Sequence, residues 1–179
     1  MSKILIKQVK KLSPKEMNFM NRQRVKEFGA DATKIWKKDY PLNSLVFFVL
    51  EKKSIVAFGL LRPVNLTYLN KRYNILGICS IISIIKKKGY GKDLIQGIII
   101  YLKKTEKTGL GFTGKTEFFK KAGLGTKKNF IKRFVYFNPR TGKKIYDYDG
   151  DGIYYEGKDK LITRILSTKS IAYIPILHW

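Results

Sequence analysis

The sequence predicts a single mixed α/β domain. Three observations lead there: short apolar runs of strand length, two longer stretches with helical spacing, and a central strand that meets a helix through a glycine-bearing turn. At 179 residues the chain suits one domain with its own core, and the domain is taken as residues 1–179. No repeat, low-complexity linker or composition break divides it.

Taken in order, Ile4–Val9 alternates apolar residues with Lys and Gln and reads as a first strand. Ser13-Pro14-Lys15-Glu16 is a helix start: Ser13 caps, Pro14 suits the first turn, and Glu16 can reach back to the cap. That helix runs to Phe28 and stops at Gly29. Asp31–Lys38 reads as a short second helix. Ser44–Glu51 and Ser54–Pro63 read as a hairpin joined at Lys52-Lys53, followed by a polar stretch over Asn65–Arg72. Tyr73–Ser83, apolar on both faces, belongs in the middle of a sheet.

Lys92–Lys104 is helical, with Leu94, Ile95, Ile98, Ile99 and Leu102 on one stripe. Leu110–Thr113 is a short strand and Thr116–Ala122 a short helix ended by Gly123. Phe130–Phe137 and Lys143–Tyr148 read as strands flanking the turn Asn138–Gly142. Ile153–Tyr155, Leu161–Leu166 and Ile171–Leu177 are further strand candidates.

The bulk properties narrow the setting. Apolar residues make up 44% of the chain, an ordinary globular share. The single cysteine, Cys79, forms no internal disulfide, and the N-terminus has no apolar stretch of signal-peptide length. The longest near-apolar run, Ile75–Ile85, is too short to span a bilayer, so a cytoplasmic protein is expected. Lys plus Arg number 37 against 13 Asp plus Glu, a net charge of +24. Such a field attracts polyanions: nucleic acid, an acidic surface or a phosphorylated cofactor.

The junction from Ser83 through Lys86, Lys87, Lys88, Gly89, Tyr90 and Gly91 to Lys92 carries the functional argument. Its glycines let the backbone turn at a helix N-terminus, where amide groups and partial positive charge bind phosphate oxygens. Four lysines add attraction for a polyphosphate. Lys86-x-x-Gly89-x-Gly91 resembles the pyrophosphate loop of the GNAT superfamily of N-acetyltransferases, which normally begins with Gln or Arg. About thirty residues on, Glu117-Phe-Phe-Lys-Lys-Ala-Gly123-Leu124 resembles that family's last-helix signature.

Together with the order of elements, the resemblance covers residues 1 to about 125. It implies a GNAT fold, a splayed mixed sheet flanked by helices, with acetyl-CoA as cofactor. The backbone at Cys79, Ser80 and Ile81 would face the pantetheine arm. Lys86–Lys92 would hold the pyrophosphate, and the acyl group would lie between that strand and Leu110–Thr113. A weaker resemblance, to aminoglycoside 2'-N-acetyltransferases, rests on the Asp147-x-Asp149-x-Asp151-Gly152 cluster and Trp179. It implies a strand-rich acceptor-side portion over residues 126–179.

Two family positions depart from pattern. The strand over Tyr73–Ser83 carries no carboxylate where GNAT enzymes often place a Glu, having Gly77 and Ile78 instead. Phe119 stands where the family's tyrosine acid is usual. Asp149, Asp151 and the carboxylate of Trp179 are the candidate catalytic groups, with Glu156 a further carboxylate. His178, the only histidine, reads as incidental, and Cys79 as a small core residue.

No metal site is expected. The aspartate cluster opens like a calcium loop, but its twelfth position is Lys158 rather than Glu, and one Cys with one His cannot make a zinc site. The cluster reads as a polar turn or as an acidic patch for a cationic acceptor. Phe130, Phe134, Tyr136 and Phe137 beside Lys115–Arg133 and Arg140–Lys144 read either as core or as an aromatic, basic stripe for nucleic acid. The expected function is acetyl transfer from acetyl-CoA directly to a primary amine. The alternative is a GNAT scaffold without chemistry that binds nucleic acid or an acidic partner.

Overall fold

The computed structural model describes residues 2–138, 141–146 and 150–175. Its ten strands form one mixed sheet. Strand β1 (Lys3–Gln8) pairs antiparallel with β2 (Leu45–Glu51). Between them lie helix α1 (Pro14–Phe28) and the four-residue helix α2 (Trp36–Asp39). The Ser13 hydroxyl accepts from the Glu16 amide while the Glu16 carboxylate accepts from the Ser13 amide, the capping box that the sequence spells. The helix expected over Asp31–Lys38 is split instead, into a 3-10 turn at Ala30–Ala32 and α2.

Strand β3 (Ser54–Tyr68) runs past Pro63 through most of the expected polar stretch, and β4 begins early, at Lys71, ending at Ser83. Alternation explains the extension: Val64, Leu66 and Tyr68 are buried on one face, as are Tyr73 and Ile75 opposite. Leu69 and Asn70, both with positive φ, make the two-residue turn. Helix α3 (Tyr90–Lys104) then leads to β5 (Gly109–Thr113), helix α4 (Thr116–Lys121) and a short strand β6 (Gly125–Lys127), which sequence alone did not suggest.

Two later expectations are corrected. Phe130–Arg133 is a 3-10 turn, and only Phe134–Phe137 is strand β7. Strands β8 (Lys144–Tyr146) and β9 (Asp151–Tyr155) follow, and then Leu161–Leu166 forms helix α5, not a strand. Leu161, Ile162 and Ile165 are fully buried at helical spacing, and the Glu156 carboxylate accepts from the Ile162 and Thr163 amides at 3.0 and 2.8 Å. Strand β10 (Ala172–Ile174) is the last described strand.

The strand order is β6-β9-β5-β4-β3-β10-β7-β8, with β2 and β1 on the other end of the long β3. Residues beyond 125 therefore extend both edges of one sheet. The buried stripe of α3, with Leu94, Ile95, Ile98 and Leu102, packs against Phe47, Val49, Ala57 and Leu61. On the opposite face Met20 of α1 and Trp36 of α2 pack with Val46, Phe48 and Leu60. A third cluster joins the far half of β3 and β4 to Phe130, Phe134 and α5. Phe130 and Phe134 are thus core residues. No helix among the described residues is long and apolar enough to cross a membrane.

Candidate active site

The site arises where the sheet opens. β4 lies between β3 and β5, but it pairs with parallel β5 only at Leu76↔Gly109 and Gly77↔Leu110. From Ile78 onward its edge faces a cleft. On the β3 side the register slips: Phe58 pairs with Ile82 and Leu60 with Cys79, so Gly59 opposes both Ser80 and Ile81. This is a β-bulge, and Ser80 takes the left-handed conformation with φ 54°. The extra residue re-aims the backbone of β4 at the point where β5 parts from it.

Two cavities meet there. One of about 810 Å3 runs from Ile81 and Ser83 past the loop residues Lys86, Lys87, Gly89, Gly91 and Lys92 to Lys115 and Phe118. The other, of about 340 Å3, lies on the N-terminal side of the bulge, against Ile78, Cys79 and Ser80. Phe28, Ile81, Thr113 and Phe119 line both, so the two adjoin across these side chains.

Lysines and an uncapped helix start meet in the loop. Lys87 and Gly89 have φ 58° and 84°, which turns the chain tightly into α3, and no side chain caps that helix. A Cβ on Gly91 would stand 2.9 Å from the Phe118 ring, so the absence of a side chain keeps the cradle open. Lys86 is held by Glu27 of α1 at 2.7 Å. Lys88 and Tyr90 line neither cavity, and the Tyr90 hydroxyl donates to the Glu51 carboxylate.

The smaller cavity is polar at its wall. The Arg24 side chain donates through Nε to the Ala32 carbonyl at 2.7 Å and through Nη1 to the Ser80 hydroxyl. The Tyr40 hydroxyl lies 3.4 Å from the same Ser80 oxygen. Burial raises the Tyr40 phenol above its ordinary range, and it pushes the Cys79 thiol up to about 12. Both are neutral at physiological pH. Arg62 stands with its guanidinium 5.5 Å over the Tyr40 ring, and Lys34 and Asp39 complete the wall.

The sequence-derived candidates are distributed as follows. Cys79, Ser80, Ile81, Lys86, Lys87, Gly89, Gly91 and Lys92 line the cleft. Asp151 does not; its carboxylate accepts from the Asn129 amide at 2.8 Å. Glu156 caps α5. Asp149, His178 and Trp179 lie outside the described residues. Phe119, 7% exposed, lines the cleft and brings no hydroxyl to it. Sequence reasoning missed Arg24, Lys34, Asp39, Tyr40 and Arg62. Two of these carried a signal: Arg24 shares a helical stripe with Met17 and Met20, and Arg62 is the one charge within β3.

No protein-family model matches the sequence, and no curated protein matches it. Solved structures do share its architecture. A conserved protein of unknown function from Enterococcus faecalis V583 is 14% identical with TM-score 0.54; the match covers 76% of this chain and 38% of that one. An acyl-CoA N-acyltransferase from Pseudomonas aeruginosa is 11% identical with TM-score 0.56, over 85% and 97% of the two chains. A GNAT family acetyltransferase from Elizabethkingia anophelis, solved with acetyl-CoA bound, is 16% identical with TM-score 0.53, over 87% and 97%. The chain thus spans little more than a third of the Enterococcus protein and nearly the full length of the other two. At such identities the likeness speaks to architecture alone: the chain has the fold of the GNAT-family acetyltransferases.

Proposed function

We propose that this protein is an N-acyltransferase that moves an acetyl group from acetyl-CoA directly to a primary amine. One observation carries the reading: adjoining cavities lie against the lysine-rich loop at the start of α3 and the β-bulge at Ser80 and Ile81. The donor set suits the cofactor. Lys86, Lys87, Lys92 and the uncapped start of α3 would hold the pyrophosphate, and the free edge of β4 at Cys79–Ile81 would hydrogen-bond the pantetheine amides. The acetyl-CoA complex of the Elizabethkingia protein, alike in fold, supports that choice.

Acetyl-CoA supplies its acetyl group as a thioester, so transfer exchanges a C–S for a C–N bond, and the proton lost by the amine ends on the thiol. The chain's own residues prepare the nitrogen. Arg24, Lys34 and Arg62 lower the pKa of an ammonium brought beside them, favouring the neutral nucleophile. Asp39 is the carboxylate on this wall that can take the proton. Tyr40, neutral and beside Ser80, is the hydroxyl that can return one, in place of the acid that Phe119 does not provide. Holding both reactants in one cleft supplies much of the remaining rate.

The test is calorimetric titration with acetyl-CoA and CoA, with Gly91→Asp alongside. The Phe118 ring facing Gly91 is 42% exposed and can yield, so the variant is expected to stay folded while charge and bulk block the cradle. Saturable binding in the native protein, lost in the variant, is the expected outcome. Absence of binding in the native protein, or equal binding in the variant, would refute the cofactor placement.

A further inference from the structure

The wall of the smaller cavity carries three cations, Arg24, Lys34 and Arg62, against the one carboxylate of Asp39. Arg24 is 8% exposed, and two of its five N–H donors are committed, to the Ala32 carbonyl and the Ser80 hydroxyl. The Arg62 Nε is buried with no hydrogen-bond partner among the described residues. Neither guanidinium forms a salt bridge among those residues, and Lys34 adds a third cation to the same wall. The carboxylate facing them, Asp39, already accepts from the Ile35 amide at 2.8 Å.

Most of this chain's lysines are solvated, so their charge costs little. Arg24, which is buried, and the buried Nε of the half-buried Arg62 are different, because desolvating a guanidinium nitrogen without a counter-ion or acceptor is unfavourable. Such a charge is balanced when an oxyanion enters, and the planar fork of arginine matches carboxylate or phosphate oxygens. A polycationic acceptor would meet repulsion from the same groups.

We infer that the acceptor is a small amine that also carries an oxyanion, a carboxylate or a phosphate, held by Arg24 and Arg62 so that its nitrogen faces the bulge. The inference rests on the acyltransferase reading. A cavity of about 340 Å3 beside Ser80 suits a molecule of amino-acid size.

The experiment follows thiol release from acetyl-CoA with paired amines: α-amino acids against their C-amides, O-phosphoethanolamine against ethanolamine, and spermidine as the polycation. Acetyl-CoA titration comes first; without saturable binding the acyltransferase reading fails, and this inference with it. With binding established, the anionic member of at least one pair should lead in kcat/KM by about tenfold or more, the ratio one charge-assisted hydrogen bond supports. The amino-acid and phosphate arms tell carboxylate from phosphate. Arg62→Met should bring the leading ratio to within about threefold. Lys34→Met, whose side chain makes no hydrogen bond among the described residues, gives a second lowering should Arg62→Met fail to fold. The inference is overturned if neither anionic member leads its pair, if spermidine is acetylated as fast as the leading anionic amine or faster, or if no anionic amine is acetylated.

Discussion

Gly59 and Ile81 interlock across the bulge: the δ1 methyl of Ile81 lies where a Cβ at residue 59 would approach it to 2.5 Å. Gly59 is the single residue of β3 set against two of β4, so the missing side chain is what lets Ile81 turn inward and the β4 edge face the cleft. Gly59→Val should cost about 1–3 kcal/mol of stability by overpacking. Urea unfolding reads that cost. Because the bulge aims the β4 edge at the cleft, acetyl-CoA affinity should also fall in the folded variant; unchanged affinity would detach the bulge from cofactor binding.

Tyr40 and Asp39 divide the proton work in the proposed chemistry. Tyr40→Phe should lower kcat by about a hundredfold, the usual scale of one general acid, with little change in the KM for acetyl-CoA. The sign of the pH dependence follows from burial. The phenol acts while protonated and is held above its ordinary 10.0, so kcat should show no alkaline fall below pH 10. Asp39→Asn should likewise lower kcat by about a hundredfold, the usual scale of one general base. Rates unaltered in both variants would take these residues out of the mechanism.

What was legible in the sequence was local. Ser13 and Glu16 named their helix, and Lys86, Gly89 and Gly91 named the loop, because each effect is made by residues within a few positions. Leu161–Leu166 was misread because a short apolar run has no decisive period; the Glu156 cap and burial of one face decided for helix. The polar wall escaped for a different reason. Arg24, Tyr40, Arg62 and Ser80 converge only because α1 crosses β4 beside the bulge, a pairing fixed by tertiary packing. The oddities of Arg24 on an apolar helix stripe and Arg62 in an apolar strand were visible, but nothing local said that they meet.

Cys79 lines the cleft, yet its chemistry is suppressed. Burial pushes the thiol up to about 12, so at pH 8 almost none of it is the reactive thiolate. Iodoacetamide should therefore leave the native protein unlabelled over the time that labels it fully in urea. The same suppression argues against an acyl-cysteine intermediate, so initial-rate kinetics should show the intersecting lines of direct transfer. Parallel lines, or rapid native labelling, would put the thiol back into the reaction.

Helix α1 carries Arg24 to the cleft, and its start is fastened to the sheet through Glu16. The Glu16 carboxylate accepts from Lys7 of β1 at 2.7 Å as well as from the Ser13 amide and hydroxyl. Burial alone would raise this carboxyl, but those hydrogen bonds outweigh it and leave it below its ordinary value. A carboxyl lowered on folding adds stability that is complete above the unfolded value of 4.5 and is lost as pH falls through the folded one. The stability gap between the native protein and Glu16→Gln, read by urea unfolding, should thus be full at pH 7 and shrink below 4.5. Ser13→Ala should cost about 1 kcal/mol at neutral pH through loss of the cap. Because α1 positions Arg24 against Ser80, either variant should also loosen the acceptor wall, raising the KM for the amine before that for acetyl-CoA. A gap that widens in acid would contradict the sign of the Glu16 shift and the anchoring role built on it.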